Sequence, residues 1–130
     1  MSKNSDQIFK TTYGEGRYVV SCTVILCEQD LVIAITGGTC PHVGAVSLAV
    51  YEPQRKSATV STSTVYTHRD DVLSTEISKR FASALQCNVT VTAGVHIDNP
   101  TNEELQLLQK NCYCCCTEML EIISKVRGVF

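Results

Sequence analysis

The feature that most constrains this chain is a change of rhythm. Up to about position 67 it is written in short runs of β-branched and apolar residues that alternate with polar ones. Beyond Asp70 the apolar residues fall at intervals of three and four. Residues 18–27 (YVVSCTVILC) read most clearly as a strand, with Val20, Cys22, Val24 and Leu26 on one face. Glu28-Gln29-Asp30 is a break too short for anything but an antiparallel hairpin, and LVIAIT at 31–36 returns the chain. Residues 7–13, 45–51 and 57–67 read as further strands, the last Ser/Thr-rich with one solvated face. Residues 70–86 then place Leu73, Ile77, Phe81 and Leu85 on one helical stripe, with Asp70 or Asp71 as the capping carboxylate. A strand at 88–97 follows. Thr101 and Glu104 form a capping box for a second helix, whose stripe is Leu105, Leu108, Cys112, Cys115, Met119, Ile122 and Val126, ending near Gly128.

That order, about five strands, then helix, strand, helix, predicts an α+β fold. We expect a mainly antiparallel, meander-like sheet of about six strands with two helices on one face. The 130 residues suit a single domain, with residues 1–6 flexible. Strands at 7–13 and 57–67 are the candidate sheet edges, and open edges invite pairing with a second copy, so a homodimer is expected.

Composition removes several function classes. Apolar residues make up 44% and charged ones only 18%, which excludes a disordered chain. The longest strictly apolar run, Leu31 to Ile35, is far short of a membrane span, and no secretory signal precedes the first strand. A net charge of −2 argues against a nucleic-acid partner. The expected setting is cytoplasmic, where the eight cysteines stay reduced and act chiefly as small buried residues. Cys112 and Cys115 lie on the apolar stripe of the second helix and read as core. Cys114 points off it, and Cys40 is the better candidate for a functional thiol, though no histidine stands in register with it.

The three histidines carry the chemistry. His42 lies in the glycine-containing loop Gly37-Gly38-Thr39-Cys40-Pro41-His42-Val43-Gly44. His68 and Arg69 precede Asp70 and Asp71 at the first helix, and His96 precedes Asp98 and Asn99 before the second. Each histidine stands near a strand end. If those ends converge, imidazoles, carboxylates, Arg69 and two helix N-termini line one pocket able to hold a phosphate. The bland alternatives are turn glycines and capping aspartates. A metal held by His42, His68 and His96, with Asp98 or Asp71, is the less favoured version, because metal ligands on one element usually show short regular spacing. Two classes of function stay open on the residues alone: a ligand-binding module, and a small enzyme using a His/Asp or His–metal site.

Together, GGTCPHVGAV at 37–46, THRDD at 67–71 and GVHIDN at 94–99 resemble the small LpdD-like proteins. The likeness runs from about Tyr18 to the last helix. It implies a fold like that of proteasome assembly chaperones, and a non-catalytic accessory role. The role is to bind and deliver or mature prenylated FMN for a UbiD-type decarboxylase of gallate or related phenolic acids. The cofactor-binding residues it implies are Gly37, Gly38, His42, Gly44, His68, Arg69, Asp70, Asp71, His96, Asp98 and Asn99.

Overall fold

A computed structural model describes residues 7–65 and 70–128. Six strands run β1 Ile8–Tyr13, β2 Val20–Cys27, β3 Asp30–Gly38, β4 Ala45–Glu52, β5 Ser57–Thr64 and β6 Val89–His96. The helices are α1 Asp71–Leu85 and α2 Asn102–Arg127, and a single 3-10 turn lies at Gly16–Tyr18. The α+β class, six-strand sheet and two-helix layer agree with the sequence reading. The expected frayed segment 1–6 lies outside the described residues, as does the end of the strand drawn to 67.

Every ladder between chain-adjacent strands is antiparallel: β1 with β2, β2 with β3, and β4 with β5. The sheet is not a meander, however. Its order is β1-β2-β3-β6-β4-β5, with β6 inserted between β3 and β4, parallel to the first and antiparallel to the second. The strand-to-strand passage from β3 to β6 takes in β4, β5 and α1, a connection long enough for a parallel crossover. This insertion makes β6 central. Val89, Val91 and Ala93 are fully buried accordingly. The edges are β1 and β5, as expected from their sequences.

Both helices cover the same face. α1 packs on β4, β5 and β6, and α2 on β1 and β2. The core between them joins Val20, Cys22 and Val24 of β2, Ile33 and Ile35 of β3, the α1 stripe Leu73, Ile77, Phe81 and Leu85, and Met119 of α2. All four α1 stripe residues are buried as predicted. The α2 stripe is corrected at three positions: Leu105, Ile122 and Val126 are exposed, while Asn111, Cys116 and Ile123 are buried. At Leu105 and Val126 the reason is length, whereas Ile122 gives way to Ile123 because a 3.6-residue period carries the stripe of Leu108, Cys112 and Met119 on to 123. At about 1.5 Å per residue a 26-residue helix is about 39 Å long and overhangs eight-residue strands of about 27 Å. Asn111 is affordable inside because its Nδ2 donates to the Tyr18 carbonyl, 2.9 Å away.

Candidate functional site

Because α1 and α2 sit on opposite halves of the sheet, they leave a cleft between their first turns. Its volume is about 360 Å³, and its floor is the C-terminal end of β6. Apolar walls come from Val72 and Leu73 of α1, Val95 of β6, and Leu105 and Leu108 of α2. The polar groups are His42, Asp70, His96, Gln109 and Cys112.

His42 reaches the cleft because its loop lies directly on β6. A Cβ at Gly94 would run into the His42 carbonyl, and one at Gly44 would run into the Asp70 carboxylate. At Gly94 the obstacle is backbone, so close approach requires glycine, whereas at Gly44 an added Cβ would push aside the Asp70 side chain. Gly37 and Gly38 end β3 beside Val95 and His96 and pack on neighbouring backbone. They shape the loop rather than line the cleft.

Asp70 is the hub. Its Oδ2 lies 3.2 Å from His42 Nε2, and its Oδ1 accepts from the Val95 N–H at 3.2 Å. One carboxylate thus ties the β3–β4 loop, the end of β6 and the start of α1. His42 Nδ1 lies 3.0 Å from the Cys40 carbonyl oxygen, so oxygens stand beside both ring nitrogens. A ring with hydrogens on both nitrogens donates to both at once. His96 Nε2 pairs with Asp98 Oδ1 at 3.0 Å, at a more exposed position. The two rings meet edge to face, centroids 6.3 Å apart.

The expected capping is corrected. Asp70 is the N-cap of α1, yet its side chain makes no cap hydrogen bond, being committed to His42 and Val95. Asp71 is the first helical residue, and its Oδ1 is buried without a hydrogen-bond partner among the described residues. At α2 the predicted box is present. Thr101 Oγ1 accepts from the Glu104 N–H, and Glu104 Oε1 accepts from the Thr101 N–H. Glu104 Oε2 also takes the Tyr18 hydroxyl at 2.6 Å and Arg17 at 2.8 Å, holding its carboxyl down at about 2. Of the two helix N-termini expected at the pocket, the α1 end lacks a side-chain cap, whereas the α2 end is already served by the box. α2 contributes a side wall.

The structure brings part of the predicted set of residues together. His42, Asp70 and His96 line one cleft. Asp98 reaches it through His96, and Asn99 is an exposed bend residue with φ 47°. His68 and Arg69 lie outside the described residues. Among the described residues no group of three or more His, Cys, Asp or Glu is placed to hold a metal ion. The sequence reading missed Gly94 and the apolar walls. Gly94 carried a signal, a glycine inside a strand pattern, which marks close backbone approach. Cys112, read as core, is nearly inaccessible and also forms part of the cleft wall. Its thiol is pushed up by burial and by its neighbours Cys116 and Cys115, which makes it a poor nucleophile.

A family model for the prenylated flavin chaperone LpdD-like domain matches residues 14–124. The chain belongs to this LpdD-like family. A curated relative, Protein LpdD of Lactiplantibacillus plantarum, is 27% identical over 94 residues, which cover 72% of this chain and 69% of the relative. Among solved structures, a chaperone complex for yeast 20S proteasome assembly aligns with TM-score 0.59 at 8% identity. That alignment covers 92% of this chain and 97% of the other. At such identity the likeness is one of fold, and it agrees with the architecture expected from the resemblance.

Proposed function

We propose that this LpdD-like chain is a non-catalytic carrier that binds prenylated FMN in the cleft between α1 and α2. It delivers or matures the cofactor for a UbiD-type aromatic acid decarboxylase in the cytoplasm. The observation that carries the reading is convergence: His42, Asp70 and His96, drawn from three separate stretches of sequence, meet at one cleft. The cleft also suits the group. Val72, Leu73, Val95, Leu105 and Leu108 offer apolar walls to a flat, prenyl-extended ring, and its volume falls within the rough 300–1,000 Å³ range of small-molecule sites. Prenylated FMN supplies the decarboxylation chemistry in the partner enzyme. Here the residues orient and shield it. His96, with one ring nitrogen taken by Asp98, offers the other to the ligand's polar edge, Asp70 fixes the His42 ring as a wall of the cleft, and the start of α1, which has no side-chain cap, favours the phosphate. His68 and Arg69, which the resemblance adds to the site, complete the phosphate contacts, with Gly37, Gly38 and Gly44 shaping the loop and Asp71, Asp98 and Asn99 bordering it.

The test is direct. Purified protein is mixed with prenylated FMN or plain FMN and passed over gel filtration, with the flavin absorbance followed. Co-elution with prenylated FMN, reduced at least tenfold in the double variant H42A/H96A, is expected. Free flavin eluting apart from the wild-type protein overturns the proposal. A second reading, a small enzyme of its own, rests on the two His–Asp pairs, which are general acid–base arrangements. Turnover of a phenolic acid or flavin by the isolated protein, lost in H42A, decides for it.

A further inference from the structure

Among the described residues nothing covers the face of the sheet opposite the helices, and its chemistry is wrong for water. A one-sided antiparallel strand puts apolar residues inward and polar ones outward. In β4 the order of size is reversed. Ala45, Ser47 and Ala49 face the helices, while the larger Val46, Leu48 and Val50 face out, each more than 40% exposed. The ladder registers then line up Ile8, Ile25, Val32, Thr90 and Leu48 in one row across five strands. The outward residues of the four inner strands, at 21–25, 32–36, 46–50 and 90–94, include no Asp, Glu, Lys, Arg or His.

We propose that this face is the surface on which a second copy of the chain packs, sheet against sheet, with the helices outermost. Area supports it. Six strands about 4.8 Å apart and eight residues long at about 3.4 Å each span about 24 by 27 Å. That is roughly 650 Å² in projection and more in accessible area, close to the roughly 800 Å² per partner of a stable interface. Chemistry supports a copy over a foreign partner. In a two-fold pairing, apolar rows meet apolar rows and hydroxyls meet hydroxyls, and a central surface without charge opposes no like charges. The flat β-branched rows fit the aligned sheet packing of sandwiches, inclined by about 30°. The surface differs from edge-to-edge pairing through β1 or β5, and the proposal stands apart from the flavin reading.

The experiment is a solution mass over a protein concentration series. Twice the 14.2 kDa chain mass is expected for wild type. Leu48→Lys should give the single-chain mass, and Leu107→Lys, on an exposed position of α2, should leave it doubled. Thr64→Pro, at a β5 position whose N–H points away from β4 to the open edge, should also leave it doubled. A fold-independent arm uses the wild-type protein alone. A soluble paramagnetic probe should broaden the Leu107 methyl signals and spare those of Leu48. A single-chain mass at all concentrations overturns the proposal. So does a doubled mass that survives L48K but not T64P, or equal broadening of both leucines.

Discussion

At the scale of single residues, the decisive group is Asp70. Its carboxylate is 11% exposed and serves two partners from different elements. Asp70→Ala strips an acceptor from both the Val95 N–H and His42. Leaving a buried donor unmatched costs about 1–3 kcal/mol. A lowered melting temperature should therefore accompany a changed His42 ring signal in NMR, with His96 much less affected. Asp70→Asn keeps an oxygen for Val95 and should cost less. Gly94→Ala tests the loop seat in another way. Its methyl has to displace the His42 backbone, and overpacking of this kind costs about 1–3 kcal/mol. Thermal melts should show that loss, and flavin binding should weaken with it because His42 is moved. These roles were only half visible in the sequence. That His42, Asp70 and His96 carry chemistry could be suspected from residue type and neighbours. That Asp70 abandons its cap to hold His42 depends on a contact across 28 positions, which no local pattern encodes.

At the scale of elements, local rules were legible wherever local energies decide. The α1 stripe and the α2 capping box are both written within a few residues, and both are formed. The place of β6 was not legible, because a parallel neighbour is chosen by the whole sheet and not by its own sequence. The start of α2 supports a pH prediction. Glu104 is held at about 2 against an ordinary 4.5, first by the Tyr18 hydroxyl, then by the Thr101 N–H and Arg17. A carboxylate whose folded value is depressed adds stability above its unfolded value and loses it as pH falls through the folded one. Its contribution is therefore complete above pH 4.5 and drains away between 4.5 and 2. Melting curves across that window should fall for wild type and be flatter for Glu104→Gln. Tyr18→Phe, which removes the largest cause, should recover part of the flattening. Thr101→Ala should cost about 1 kcal/mol at neutral pH by opening the other half of the box.

At the scale of the whole molecule, the eight cysteines report whether the two layers are closed. Cys27 and Cys40 are exposed, Cys114 is half-buried, and Cys22, Cys87, Cys112, Cys115 and Cys116 are buried. The crowding at 112–116 points to free and mostly internal thiols, and this is where they stand. Burial acts twice on the internal set. It blocks the reagent, and it raises the thiols of Cys112, Cys115 and Cys87, so that little attacking thiolate exists. Cys116 is raised first by the adjacent Cys22 thiol and then by burial. A chromogenic disulfide reagent at neutral pH should therefore titrate two thiols at once, a third more slowly, and the last five only as the molecule unfolds. The slow phase should follow the unfolding free energy when denaturant is added, because β2 and α2 must separate before Cys22 or Cys116 is reached. Cys112 adds a further readout, since its side chain borders the cleft. If small openings of the cleft admit reagent, its modification should run ahead of the other four and be suppressed by bound flavin, leaving the rest unchanged. Reaction of Cys22, Cys115 or Cys116 in the native state would mean that α2 does not close on the sheet as described.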